Sequence, residues 1–242
     1  MIPPSPANGR RKKNFKNPLD NWRKVVYNKH ITKGQQKGID TMNSLFFKRE
    51  LDLIVDEDLR MAVKCYFDEK VPKYFWETGA SSTGKFHPMF SQGEGGLVRH
   101  TKAVVMFAEE LLRMSSYAYM PDAYKDYVIA ACLIHDCAKY GMGDELDKGA
   151  YKEHAPNGAK MFDMFMLESY GVHAPEKLLD AVRTHMGQWS EKEDKPFSPI
   201  DRCVHMADYM ASRSFLDIPS IWDEWEIADT EIKQAKTHPF EF

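Results

Sequence analysis

The chain has 242 residues, room for one large domain or one domain with an appended arm. Hydrophobic residues make up 43% and charged residues 29%, which excludes a largely disordered chain. Lys and Arg number 33 against 36 Asp and Glu, so no global basic field points to nucleic acid. The balance hides an asymmetry. Residues 1–40 carry ten basic and two acidic side chains, a net +8 that leaves −11 for the rest. With Pro3, Pro4, Pro6 and Gly9 as breakers and no hydrophobic stretch behind the basic run, this segment is expected to be a flexible arm, not a secretory signal. Phe15 and Trp22 are too sparse for a stacking platform, so a solubilising arm is favoured over one that tracks phosphates.

Residues 51–67 place apolar side chains at helical spacing. A loop rich in Gly, Ser and Pro follows, GASSTGKFHPMFSQGEGG at 79–96. Helices are then expected near 97–114, 124–137, 155–170, 175–186 and 199–215, punctuated by Pro121, Gly141, Pro156, Gly171, Pro175, Gly187 and Pro199. Residues 41–216 read as one helical domain and 217–242 as an acidic extension packing on it. No alternating strand pattern of useful length appears, which makes the fold all-α. Four cysteines without a CxxC pair read as reduced thiols. No apolar run approaches the ~20 residues that span a bilayer, so a soluble, cytoplasmic protein with no membrane contact is expected.

The informative residues are polar ones set on apolar helix faces. Leu97, Thr101, Val104, Ala108 and Leu111 define one buried stripe, and His100 sits on it. Val128, Ala131 and Cys132 lead to His135, with Asp136 beside it; Leu178 and Val182 lead to His185. Asp208 lies inside the stripe Ile200, Val204, Ala211, Phe215. A single inward histidine is more often a hydrogen-bonded core residue than a ligand. An ionised carboxylate buried without a partner is costly, however, and four helices each turning a His or Asp inward favour a divalent metal site.

The order His100 … His135-Asp136 … Asp208, with the flanks GGLVRH, LIHDCAK and HMAD, resembles the H…HD…D signature of the HD-domain superfamily of metal-dependent phosphohydrolases. The resemblance covers about half the chain, from Gly95 to Phe215, and implies an HD-domain helical bundle around a metal site over 41–216. Its binuclear branches add two histidines between the doublet and the last Asp, which fall here on His154 and His185. It therefore implies two divalent ions held by His100, His135, Asp136, His154, His185 and Asp208, with Asp136 bridging. Mixed His and carboxylate ligation suits Mn, Fe, Co, Ni or Zn. Lys139, matching the HDxxK piece, would lie by the scissile phosphate, against the plainer reading of a helix-end lysine.

The 79–96 loop leads directly into His100 and is expected to form a wall of the cleft. Ser81, Ser82, Lys85 and His87 would reach the substrate, and Arg99 a phosphate at the rim. The function implied is hydrolysis of a nucleotide or related small phosphoester by a metal-activated water, with Asp136 and Lys139 as the catalytic pair. Two alternatives share the ligand set. One is a 3′–5′ exonuclease or phosphodiesterase on single-stranded nucleic acid, since THMGQW…SPIDRCVHMAD resembles the last segment of HD-type exoribonucleases. The other is a di-iron oxygenase of the type of myo-inositol oxygenase.

Overall fold

A computed structural model describes residues 43–81, 87–190 and 197–237. The basic arm, Ser82 and Lys85 lie outside the described residues. Those residues form an all-α architecture of nine α-helices: α1 (Lys48–Leu51), α2 (Glu57–Glu69), α3 (Tyr74–Glu77), α4 (Gly96–Arg113), α5 (Asp122–Ile134), α6 (His154–Tyr170), α7 (Glu176–Arg183), α8 (Pro199–Ala211) and α9 (Pro219–Thr237). None of them is long and apolar enough to cross a membrane.

Local chemistry sets the boundaries that position the site. The first long helix starts at Glu57, not near 51, because Asp56 caps it by accepting from the Asp58 and Leu59 amides. Asp126 of α5 accepts from the amides of Val55 and Asp56 and fixes that cap against the bundle. Helix α8 starts where expected, with Pro199 in its first turn and a reciprocal capping box between Ser198 and Asp201. Helix α5 stops at Ile134, short of the expected 137. From there the chain tightens, Cys137 donating to the Ile134 carbonyl and Lys139 to the Asp136 carbonyl. This tight turn carries the His-Asp doublet.

Helix α4 packs on both α5 and α8, and α7 packs against α5, α6 and α8. Their facing sides are filled by Val98, Val104, Leu133, Phe162, Val182 and Val204, all buried. An aromatic cluster of Phe47, Phe67, Phe75 and Trp76 ties α2 and α3 to the same core. The acidic C-terminal extension forms helix α9, which runs for 19 residues and lies across the start of α4. That approach needs glycine. Gly95 has a φ of +67°, and a Cβ there would lie 2.5 Å from the Trp225 ring. A Cβ on Gly96 would lie 2.4 Å from the Ser91 carbonyl oxygen, so the loop before α4 also presses on its first turn.

Candidate metal centre

Three of the inward histidines are aimed by one local device. The Nδ1 of His135 lies 2.7 Å from the Cys132 carbonyl oxygen, and that of His185 lies 2.7 Å from the Val182 carbonyl oxygen. His154 makes the same contact to Tyr151. In each case the acceptor is three residues back, where a helical stretch is ending and its carbonyls lack ladder partners. A carbonyl can only accept, so each Nδ1 carries the hydrogen and each Nε2 presents a lone pair to the interior.

Those lone pairs converge on more acceptors. The Nε2 atoms of His154 and His185 are 3.0 Å apart. Asp136 Oδ1 lies 3.2 Å from the first and 3.7 Å from the second. Asp136 Oδ2 faces the other way, 3.5 Å from His135 Nε2 and 3.8 Å from His100 Nε2. Asp208 Oδ1 completes that second group at 3.1 Å from His100 Nε2 and 3.8 Å from His135 Nε2. His135 Nε2 and Asp136 Oδ1 are buried without a well-formed hydrogen bond. Lone pairs at such separations repel one another in a dry interior unless a cation lies among them. The donor set therefore fits divalent metal, and its atoms form two overlapping groups that share His135: His100, His135, Asp208 and His135, Asp136, His185.

The charged groups are poised to match. Burial pushes the Asp136 carboxyl up, but Lys139 and His135 overcome this and hold it well below the usual carboxylate range. Asp208 is also opposed by burial, yet the hydrogen bond to His100 and the nearby His135 keep it ionised. Burial pulls His185 down to about 3, so it stays neutral at ordinary pH. For Lys139 burial opposes the charge, and Asp136 and Asp208 more than restore it. Its Nζ lies 2.8 Å from Asp136 Oδ2, with the side chain 14% exposed at the mouth of the cluster.

Residues 97–213 match the family model for the HD domain. The chain carries an HD domain. Over 120 residues it is 27% identical to the dihydroneopterin 2′,3′-cyclic phosphate phosphodiesterase of Methanocaldococcus jannaschii, a match that covers 50% of this chain. The chain spans only 47% of that relative's length. No solved structure matches it significantly. HD domains are metal-dependent, in keeping with the clustered His and Asp side chains.

Within the HD domain, all six residues singled out as ligands come together, from three helices and the ends of two more. Lys139 joins them. His87 packs edge-on against His100, with ring centroids 5.3 Å apart and its Nδ1 buried without a partner. Ser81 is partly buried where the loop leaves α3. Arg99 does not sit at the rim: only 1% exposed, it donates to the carbonyls of Phe90 and Gln92 beneath Trp222 and Trp225. The reason is helical geometry, since Arg99 points about 100° away from His100 on the same helix.

Two supporting residues escaped the sequence reading. Tyr74 donates its hydroxyl to the Gly141 carbonyl at 2.6 Å and accepts from the Tyr140 amide, bracing the turn that holds Lys139. His205 donates to the His185 carbonyl at 2.8 Å. Its position three residues before Asp208, within HMAD, was the available signal; for Tyr74 there was none, because its partners lie more than 60 residues away.

Proposed function

We propose that this chain is a metal-dependent phosphohydrolase that holds two divalent cations and acts on a small phosphoester of the nucleotide type. The observation that carries the reading is Asp136. Its two oxygens face two separate groups of nitrogen and oxygen donors, as a carboxylate bridging two cations would. One cation would take His100, His135, Asp136 and Asp208; the other would take Asp136, His154 and His185. Nitrogen-rich ligation favours Mn, Fe, Co, Ni or Zn over Mg or Ca. Divalent cations supply Lewis acidity towards phosphoryl oxygens and acidify water.

The chain's own residues supply the rest. Lys139, protonated at the mouth, stabilises charge developing on the phosphoryl group. Buried walls on α4, α5 and α8 exclude bulk water and strengthen that interaction. His87 and Ser81, on the segments flanking the loop before α4, contact the substrate. The cyclic phosphodiesterase relative extends the substrate class from monoesters to cyclic phosphodiesters.

The test is elemental analysis of the purified protein, then a panel of mononucleotides, 2′,3′-cyclic nucleotides and single-stranded oligonucleotides with the metal found. Turnover of a small phosphoester, lost on chelation and regained on adding metal, is the expected result. Activity confined to oligonucleotides would select the exonuclease alternative. Oxygen uptake by an iron-loaded sample without phosphate release would select the oxygenase.

A further inference from the structure

Arg99 is a buried cation for which no carboxylate forms an ion pair among the described residues. Burial pulls it down to about 10, which still leaves it charged at neutral pH. A desolvated guanidinium is costly, and packing alone would be better served by Leu or Met. What it gains is directional. Its guanidinium carbon lies 4.1 Å from the Trp222 ring centroid and 4.6 Å from that of Trp225, both on α9. Two of its nitrogens donate to one short segment, Nε to the Phe90 carbonyl and Nη2 to the Gln92 carbonyl at 2.8 Å, while Nη1 is buried without a hydrogen-bond partner.

That segment leads back to the metal centre. The Gln92 side-chain amide donates to the His87 carbonyl at 3.4 Å, and the His87 ring rests against His100. Beside this chain of contacts, Lys102 of α4 is clamped between Glu50 at 3.0 Å and Glu224 of α9 at 3.2 Å. Both flanks of His100 on α4 are thus held from α9, a helix that lies beyond the residues matching the HD family.

We propose that the C-terminal helix is a working part of the site: Trp222 and Trp225 hold Arg99, and Arg99 is a positioning residue that sets His87 on His100 through the carbonyls of Phe90 and Gln92. The inference rests on the reading of His87 and His100 as site residues. It gives α9 a role that the ligand set alone does not require. It also makes residues 87–95 a rigid wall whose stiffness is supplied from the far end of the chain.

The test uses the full chain carrying Arg99→Met, which fills the space but loses both donated hydrogen bonds, and separately Trp222→Leu. Expected for both is unchanged metal content. Amide exchange across 88–96 should rise about tenfold or more, with exchange in α7 unaltered. The imidazole NMR resonances of His87 should shift as well. These arms need no substrate, so a wrong reaction class does not touch them. With an active substrate, kcat should fall about 10- to 100-fold, as for a misplaced contact group, and KM should change little. The kcat loss should vanish when the variants are made in a His87→Ala background, while the rise in exchange at 88–96 persists there. Unchanged exchange at 88–96 and unmoved His87 resonances would overturn the proposal. So would a kcat loss of equal size with and without His87.

Discussion

Asp136 turns its two carboxylate oxygens to two donor groups, and comparing its variant with one at His154 tests the two-ion reading. Asp136→Ala is expected to lose both ions, because each group loses a ligand that no neighbour can replace. His154→Ala should lose one ion and keep the other; elemental analysis of both variants decides, and full occupancy in Asp136→Ala would remove the carboxylate from the site. Lys139→Ala should retain metal but lower kcat ~100-fold, comparable to losing one oxyanion donor. Normal turnover with a slightly lower melting temperature would make Lys139 a helix-end lysine. His185 gives the metal-free protein a pH signature. Its folded value is about 3 against an ordinary 6.5, so between those values the unfolded chain binds the extra proton. Stability from this residue is therefore lost as pH falls from 6.5 towards 3. Thermal melts of metal-free His185→Asn should decline less steeply over that window than those of the parent; equal slopes would contradict the burial.

At the scale of elements, the contact between α4 and α9 depends on a missing side chain. Gly95→Ala places a Cβ into the Trp225 ring at a backbone angle that disfavours it, and should cost about 1–3 kcal/mol in chemical denaturation. A smaller cost would mean that α9 yields easily and does not press on α4. How much of this was legible in the sequence follows from the range of each interaction. His100, His135, His185 and Asp208 were legible because each interrupts or continues the apolar stripe of a single helix, and helical spacing is a local property. The helix ends were misjudged where a side chain competes with the ladder, as Asp56 and His135 do. Arg99 was misplaced because its neighbour's role suggested its own. Only the arrival of α9, more than 120 residues later, decides which side of α4 is covered. Tyr74 and its carbonyl partners meet across the fold and leave no trace in spacing.

For the molecule as a whole, the hydrophobic pattern was enough to specify an all-α bundle, while the length and docking of α9 depended on contacts among distant segments. One further consequence follows from the ends of α5 and α7. Both helices terminate at the cluster, where His135 and His185 satisfy single carbonyls by hydrogen bonding to them. Each helix end still brings the equivalent of about half a negative elementary charge. Added to the ionised Asp136 and Asp208, and only partly opposed by Lys139 and by His135, whose imidazole Asp136 and Asp208 push up against the effect of burial, this leaves a cleft of net negative charge. Such a cleft draws cations in and turns phosphate away. On the proposed function, the expected order of arrival is metal first, anionic substrate second. Calorimetric titration with inorganic phosphate should register binding only to metal-loaded protein. Equal heats with and without metal would mean that the helix ends and carboxylates do not govern entry. On that same reading, a field that repels the substrate until its polarity is reversed would also keep the unloaded protein from holding a phosphoester it cannot turn over.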